Sequence, residues 1–298
     1  MLTIFGTIAL DTTETPFKKV EKVLGGAATY ASISSSYFYK TNIVGIVGGD
    51  FPEKYKTILR KKVDIDGLII KKREKTFHYD SSFDYDLSKR TTNRTDLNVI
   101  KNFEPSIPDE YIDSKFVYLA NNDPLQNLKI MKLFSNPKLI IFDTIDYWIN
   151  NNKEDVLNMM SKVNGIIIND DEARLISKNA NLIKCAKFLM SCGPEFIVIK
   201  KGENGSILFK EDEIFPSPAF PIEDILDPTG AGDAFAGAFI GHISKTGKTN
   251  IKTLREATIY GNVMGSFVVE DYGINKLLTL DFKKIQTRYL KYRSLVRF

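Results

Sequence analysis

Between positions 227 and 233 the chain reads Asp-Pro-Thr-Gly-Ala-Gly-Asp, and these residues carry its most specific chemical signal. Pro228 fixes the approach of the chain, while Gly230 and Gly232 let the backbone come close to a ligand without interference from a Cβ. Small and apolar residues at helical spacing follow over 234–243. The turn therefore sits at a helix N-terminus, where unpaired N–H groups and the helix dipole favour an anion. Asp233 falls in the first helical turn. A carboxylate there can cap the helix, or it can take a proton from a hydroxyl that attacks a phosphoryl group held in the same cradle.

Other stretches bear polar residues at the ends of apolar runs. Asn169-Asp170-Asp171-Glu172 follows the apolar run 166–168 and precedes a helical pattern. Asn169 or Asp170 suits an N-cap, yet the place is also the carboxyl end of a strand, where open parallel sheets bind ligands. Gly25-Gly26 reads as a strand-to-helix turn, Asp11 as a turn residue, and Asn204-Gly205 as a turn into an antiparallel extension. Gly241 to Thr249 ends in Gly-Lys-Thr, but five residues separate its glycines where a P-loop has four, and it follows a helix.

The elements that must position these groups alternate along the chain. Strands are predicted at 3–5, 42–47, 115–119, 138–142, 165–168 and 196–200, and helices at 53–61, 126–134, 154–161, 171–177 and 183–191. From Gly230 onward the pattern is mostly helical, with Gly261 and Gly265 placed either for helix packing or for approach to a base. Such alternation means right-handed crossovers and a largely parallel sheet covered on both faces, an α/β fold. One region departs from it: Phe77, Tyr79, Phe83 and Tyr85 alternate with His78, Asp80, Asp84 and Asp86. That is a half-buried strand or hairpin that must cover something, a cleft or a second subunit. Lys89, Arg90 and Arg94 behind it read as a solvated charged loop, or as the wall of a phosphate pocket.

Composition excludes several classes. The 298 residues suit one large α/β domain, or one with a small accessory element. Lys and Arg total 41 against 37 Asp and Glu, a balance of +4 too small to imply nucleic-acid binding. No run approaches the length of apolar chain that a membrane span needs, and the first residues read as a strand, not a secretory leader. Cys185 and Cys192, seven apart on a predicted helix, read as small core residues and fit a reducing cytoplasm. His78 and His242 are far apart, so no Cys/His zinc site is expected.

The segment 227–233 resembles the C-terminal signature of the ribokinase-like (PfkB) carbohydrate kinases, Asp-Thr-x-Gly-Ala-Gly-Asp, with Pro228 in place of the usual Thr. Leu24-Gly25-Gly26-Ala27-Ala28 resembles that family's N-terminal sugar-contact motif, and Gly6-x-x-x-x-Asp11 its strand-end aspartate. Asn169-x-x-Glu172 is similar to its magnesium motif, and Lys201-Gly202-x-x-Gly205 to its nucleotide-side turn. Asp143-Thr144 and Trp148 complete a pattern most similar to a poorly characterised sugar-kinase branch.

The resemblance implies a three-layer sandwich with a small β lid. The core would be 1–10, 25–66 and 107–298, and the lid 11–24 and 67–106. It further implies ATP-dependent phosphorylation of an alcohol on a sugar-like molecule, with nucleoside and phosphosugar kinases as alternatives and a non-enzymatic binding module disfavoured. Asp233 would be the base, and the amides of Gly230, Ala231 and Gly232 would stabilise the phosphoryl charge. Asp11, Gly25 and Gly26 would hold the acceptor, and Lys201, Gly202, Gly205 and Thr229 the nucleotide. Asn169 and Glu172 would act on Mg²⁺ through water. A monovalent cation such as K⁺ and a homodimer through the lid are both compatible with the family.

Overall fold

Strand β1 (Leu2–Phe5) shows how the core is laid out. Leu2 and Ile4 join one apolar cluster and Phe5 the other, because successive side chains of a strand point to opposite faces. The computed structural model describes residues 1–297. After β1 come β2 (Ala9–Glu14), β3 (Lys19–Gly25), helix α1 (Ala27–Ser36), β4 (Thr41–Gly48), α2 (Glu53–Arg60) and β5 (Asp64–Lys71). Next are β6 (Phe77–Phe83), β7 (Arg90–Asp96), β8 (Phe116–Leu119), α3 (Pro124–Met131), β9 (Leu139–Phe142), α4 (Asp146–Asn151) and α5 (Lys153–Met160). Then follow β10 (Gly165–Asn169), α6 (Asp170–Ser177), α7 (Leu182–Ser191), β11 (Phe196–Lys200), β12 (Ser206–Lys210) and β13 (Glu213–Ser217). The remainder is helical: α8 (Ala231–Thr246), α9 (Ile251–Val268), α10 (Asn275–Leu278) and α11 (Phe282–Leu295).

The main sheet has nine strands in the order β13-β12-β11-β10-β9-β8-β1-β4-β5, parallel except where β12 meets its two neighbours. Residues of α1, α8, α9 and α11 fill one face and residues of α3, α5, α6 and α7 the other, which gives the expected three layers. From β1 the chain runs out to β4 and β5 on one side and to β8 through β11 on the other. Such a reversal opens a crevice at the carboxyl ends of the strands. Asp143, Asn169 and Lys200 all stand at those ends. Gly261 serves helix packing, since a methyl group there would come within 2.7 Å of the Phe235 ring. Gly247 closes α8 in the left-handed conformation at φ +68°, an ordinary helix stop and not a P-loop.

A second sheet, β3-β2-β6-β7, forms the small element. The aromatic alternation holds through Phe83 and then stops. Asp84 and Lys89 close a turn, the Asp84 N–H donating to the Lys89 carbonyl at 3.2 Å, and Tyr85 is 91% exposed. Residues 90–96, read as a charged loop, are an edge strand paired to β6. The lid boundaries also shift. Residues 67–71 end β5 in the main sheet, and Val99, Ile100 and Phe103 lie in the core cluster, so the small sheet is built from 9–25 and 77–96. Among the described residues, no helix is long and apolar enough to cross a membrane. Cys185 is buried, as expected, but Cys192 is only half-buried.

Candidate active site

The bend at 227–233 is held from beneath by a buried carboxylate. Asp227 Oδ1 accepts the Thr229 N–H at 2.9 Å, and Oδ2 accepts the Gly273 N–H at 3.4 Å. Gly230 turns the chain at φ +79°, where a methyl group would run to 2.4 Å from the Tyr30 ring, so only glycine fits. The Ala231 N–H donates to the Pro228 carbonyl at 3.2 Å. That corrects one expectation: the Ala231 amide closes the turn itself. Among the described residues, Gly230, Gly232 and Asp233 are the amides of this turn without an acceptor. The bend is half-buried, not packed over, and Asp233 is half-buried with it.

Burial pushes the Asp233 carboxyl up to about 6, against the pull of the Lys200 ammonium. Lys200 Nζ lies 2.9 Å from Asp143 Oδ2, and a methyl group on Gly232 would stand 3.3 Å from that nitrogen. Lys200 and Asp143 were not singled out as site residues; Lys201 was, and it makes no ion pair among the described residues. Strand periodicity held the missing signal. Phe196 and Val198 share the cluster that α8 covers, so Lys200, two residues on, faces the start of that helix.

Asp11 faces the same cleft from β2. It is 5% exposed, and its Oδ2 accepts the Gly26 N–H at 3.2 Å. A Cβ on Gly25 would overlap that oxygen at 1.8 Å, so the Gly-Gly pair exists to seat this carboxylate. Burial raises Asp11 to about 7; the Gly26 hydrogen bond opposes the rise, and the nearby charges of Asp233 and Asp227 add to it. Asp11, Gly25, Gly26 and Asp233 are thus brought together. Tyr79 pairs in register with Asp11 and shares its face of the small sheet, with the Arg90 guanidinium 5.5 Å from its ring centroid. Arg90 is exposed but lies against that ring, whereas Arg94 pairs with Asp96 at 2.9 Å. Thr229, expected on the nucleotide side, meets Thr13 of β2 at 3.5 Å and so touches the small sheet.

Asn169 is a true N-cap. Its Oδ1 accepts the Glu172 N–H at 2.8 Å while Glu172 Oε2 accepts the Asn169 N–H at 2.8 Å, a capping box. The Asn169 side-chain oxygen is therefore spent on α6. Glu172 is 6% exposed, and burial, then the Asp143 charge, pushes it up to about 8. Among the described residues, no group of three His, Cys, Asp or Glu could hold a metal directly. Asp143, Glu172 and Asp233 nonetheless face Lys200 as three carboxylates against one ammonium. Carboxyls crowded in this way, with Glu172 Oε1 unengaged, fit a hydrated divalent cation, which would favour their ionised form. The turn after β11 lies beside it. The Lys201 N–H donates to the Gly205 carbonyl at 2.7 Å, and Gly202, at φ +53°, faces open space.

The chain is similar to known kinases along most of its length. A family model described as pfkB family carbohydrate kinase matches residues 7–279. A cytidine kinase from Thermococcus kodakarensis is 29% identical over 254 residues, 82% of this chain and 88% of the relative. The fold matches the crystal structure of the Methanocaldococcus jannaschii nucleoside kinase with a TM-score of 0.78 at 22% identity, covering 97% of this chain and 98% of that one. It also matches a putative ribokinase II from E. coli in complex with ATP and Mg²⁺, with a TM-score of 0.76 at 18% identity over 97% and 99% of the two chains.

Proposed function

The chain belongs to the pfkB family of carbohydrate kinases, an ATP-dependent phosphotransferase, and within that family we propose that its acceptor is a ribose hydroxyl of a nucleoside. One observation carries this reading: Asp11 and Tyr79 lie side by side in register, near enough to Asp233 for its charge to raise the Asp11 pKa. A carboxylate accepts hydrogen bonds from two ribose hydroxyls, and an aromatic ring beside it offers a face for a base. The cytidine kinase relative, matched over most of both chains, supports the same choice.

The transfer is read as in-line. Asp233 takes the proton of the acceptor hydroxyl as its oxygen bonds to the γ-phosphorus. The bond from that phosphorus to the bridging oxygen breaks, and the electron pair leaves with ADP. The N–H groups of Gly230, Gly232 and Asp233 meet the charge on the transferring oxygens. Lys201, Gly202 and Gly205 form the nucleotide-side turn. Mg²⁺, held through water near Glu172, would neutralise phosphate charge when bound. The small sheet closes over the acceptor and keeps water from taking the phosphoryl group.

A homodimer through the exposed edge of β7, a monovalent-cation site and a cytoplasmic location complete the proposal; the unpaired thiols of Cys185 and Cys192 suit a reducing compartment. A screen of nucleosides, free sugars and sugar phosphates with ATP and Mg²⁺ tests it. Nucleosides should give the highest kcat/KM; a free hexose or a sugar phosphate ahead of every nucleoside would overturn the choice of acceptor.

A further inference from the structure

Lys200 is a half-buried ammonium with a single protein partner. Its side chain is 16% exposed, and an ammonium has three N–H donors. Among the described residues only Asp143 Oδ2 accepts one of them. The pairing partner is itself fixed: Asp143 is 3% exposed, its Oδ1 accepts the Thr144 N–H at 2.8 Å, and its Oδ2 also accepts the Tyr118 hydroxyl at 3.1 Å. Lys200 therefore cannot swing away without abandoning a buried charge. Its backbone pairs with Asn169, which places it between the Glu172 corner and the bend at Gly232.

A role in stability alone accounts poorly for this arrangement. A largely buried ion pair adds little net stability, because desolvation offsets the attraction. Burial works against the charge on Lys200, but the carboxylates of Asp143, Glu172 and Asp233 outweigh it and hold the pKa above the ordinary lysine value. The group stays charged, and its two remaining donors await acceptors that the protein does not supply. Beside the unpaired amides of the bend, the fitting acceptors are phosphoryl oxygens.

We infer that Lys200 is a catalytic residue that donates hydrogen bonds to a non-bridging oxygen of the γ-phosphoryl group during transfer, and that Asp143, fixed by Tyr118 and Thr144, is the positioning residue that aims it. Lys200 gives up no proton in this role. It offers a fixed positive charge where negative charge spreads in the transition state. The inference rests on the reading that phosphoryl transfer occurs in this cleft, whatever the acceptor.

The test removes both charges together, since Lys200→Met alone would strand Asp143. In the double variant Asp143→Asn/Lys200→Met, kcat should fall ~10²–10³-fold, with the KM of the acceptor held within about threefold. Titration calorimetry without acceptor should show ATP affinity weakened ~10-fold and ADP affinity unchanged, because only ATP carries the γ-phosphoryl group. Should that variant not fold, Lys200→Gln, which can still hydrogen-bond Asp143, carries the same two readings. Wild-type kcat, or equal losses for ATP and ADP, would overturn the inference. Should the wild-type protein phosphorylate nothing in the screen, the functional reading fails while the ATP–ADP comparison still decides the lysine.

Discussion

The two walls of the cleft are built on opposite principles. The floor, at the ends of β9, β10 and β11, holds Asp143, Glu172 and Lys200 in part-buried hydrogen bonds, with Asp233 above them on α8. The roof, the small sheet, holds Asp11 and Tyr79 on strands whose outer edge, Arg90–Asp96, is almost wholly exposed. A floor fixed by the main core can carry the charge arrangement that phosphoryl transfer needs with any acceptor. A roof with little core of its own can move, and its inner face is where acceptor choice is read. Floor substitutions should therefore act on kcat, and roof substitutions on acceptor KM.

Asp233→Asn should have the largest effect, lowering kcat ~10²–10⁴-fold with ATP affinity nearly intact, as read by steady-state kinetics and calorimetry. Gly25→Ala strikes the roof. It drives a methyl group into the space of Asp11 Oδ2, and a displacement of that size should cost ~10²-fold in acceptor kcat/KM while the ATP KM stays unchanged. A large rise in the ATP KM would break the division between the walls. The mildest change is Tyr79→Leu, which keeps the apolar bulk and removes the aromatic face. It should raise nucleoside KM ~3–10-fold and leave kcat within about twofold. A Tyr79→Leu variant that loses kcat instead would mean the roof takes part in the chemistry.

The same contrast explains what could be read from sequence. The floor was legible because its parts are local: apolar runs ending in polar residues, then a glycine turn opening a helix. The capping box at Asn169 and Glu172 and the bend at Gly230 arise within a few residues of chain. Lys200 escaped because its role depends on α8 crossing β11, a contact between distant segments, although strand alternation already placed it on the α8 side. The roof was harder. The strand Arg90–Asp96 contains no apolar residue, so no burial pattern announces it, and it forms only by pairing with β6. Tyr85 continued an alternation that the turn at Leu87, with φ +59°, had already ended. The nucleotide-side glycines were legible as a turn, but the spent Ala231 amide depended on how Pro228 closes the bend.

The pH dependence of kcat/KM tests the general-base role most directly, because it reports groups of the free enzyme. Asp233 is raised to about 6 by burial and acts only when deprotonated, so kcat/KM should fall as the pH drops through about 6, steepening a decline that Asp11, raised to about 7, begins. The residual activity of Asp233→Asn should lack this steepening. The same steep fall through about 6 in that variant would contradict Asp233 as the base.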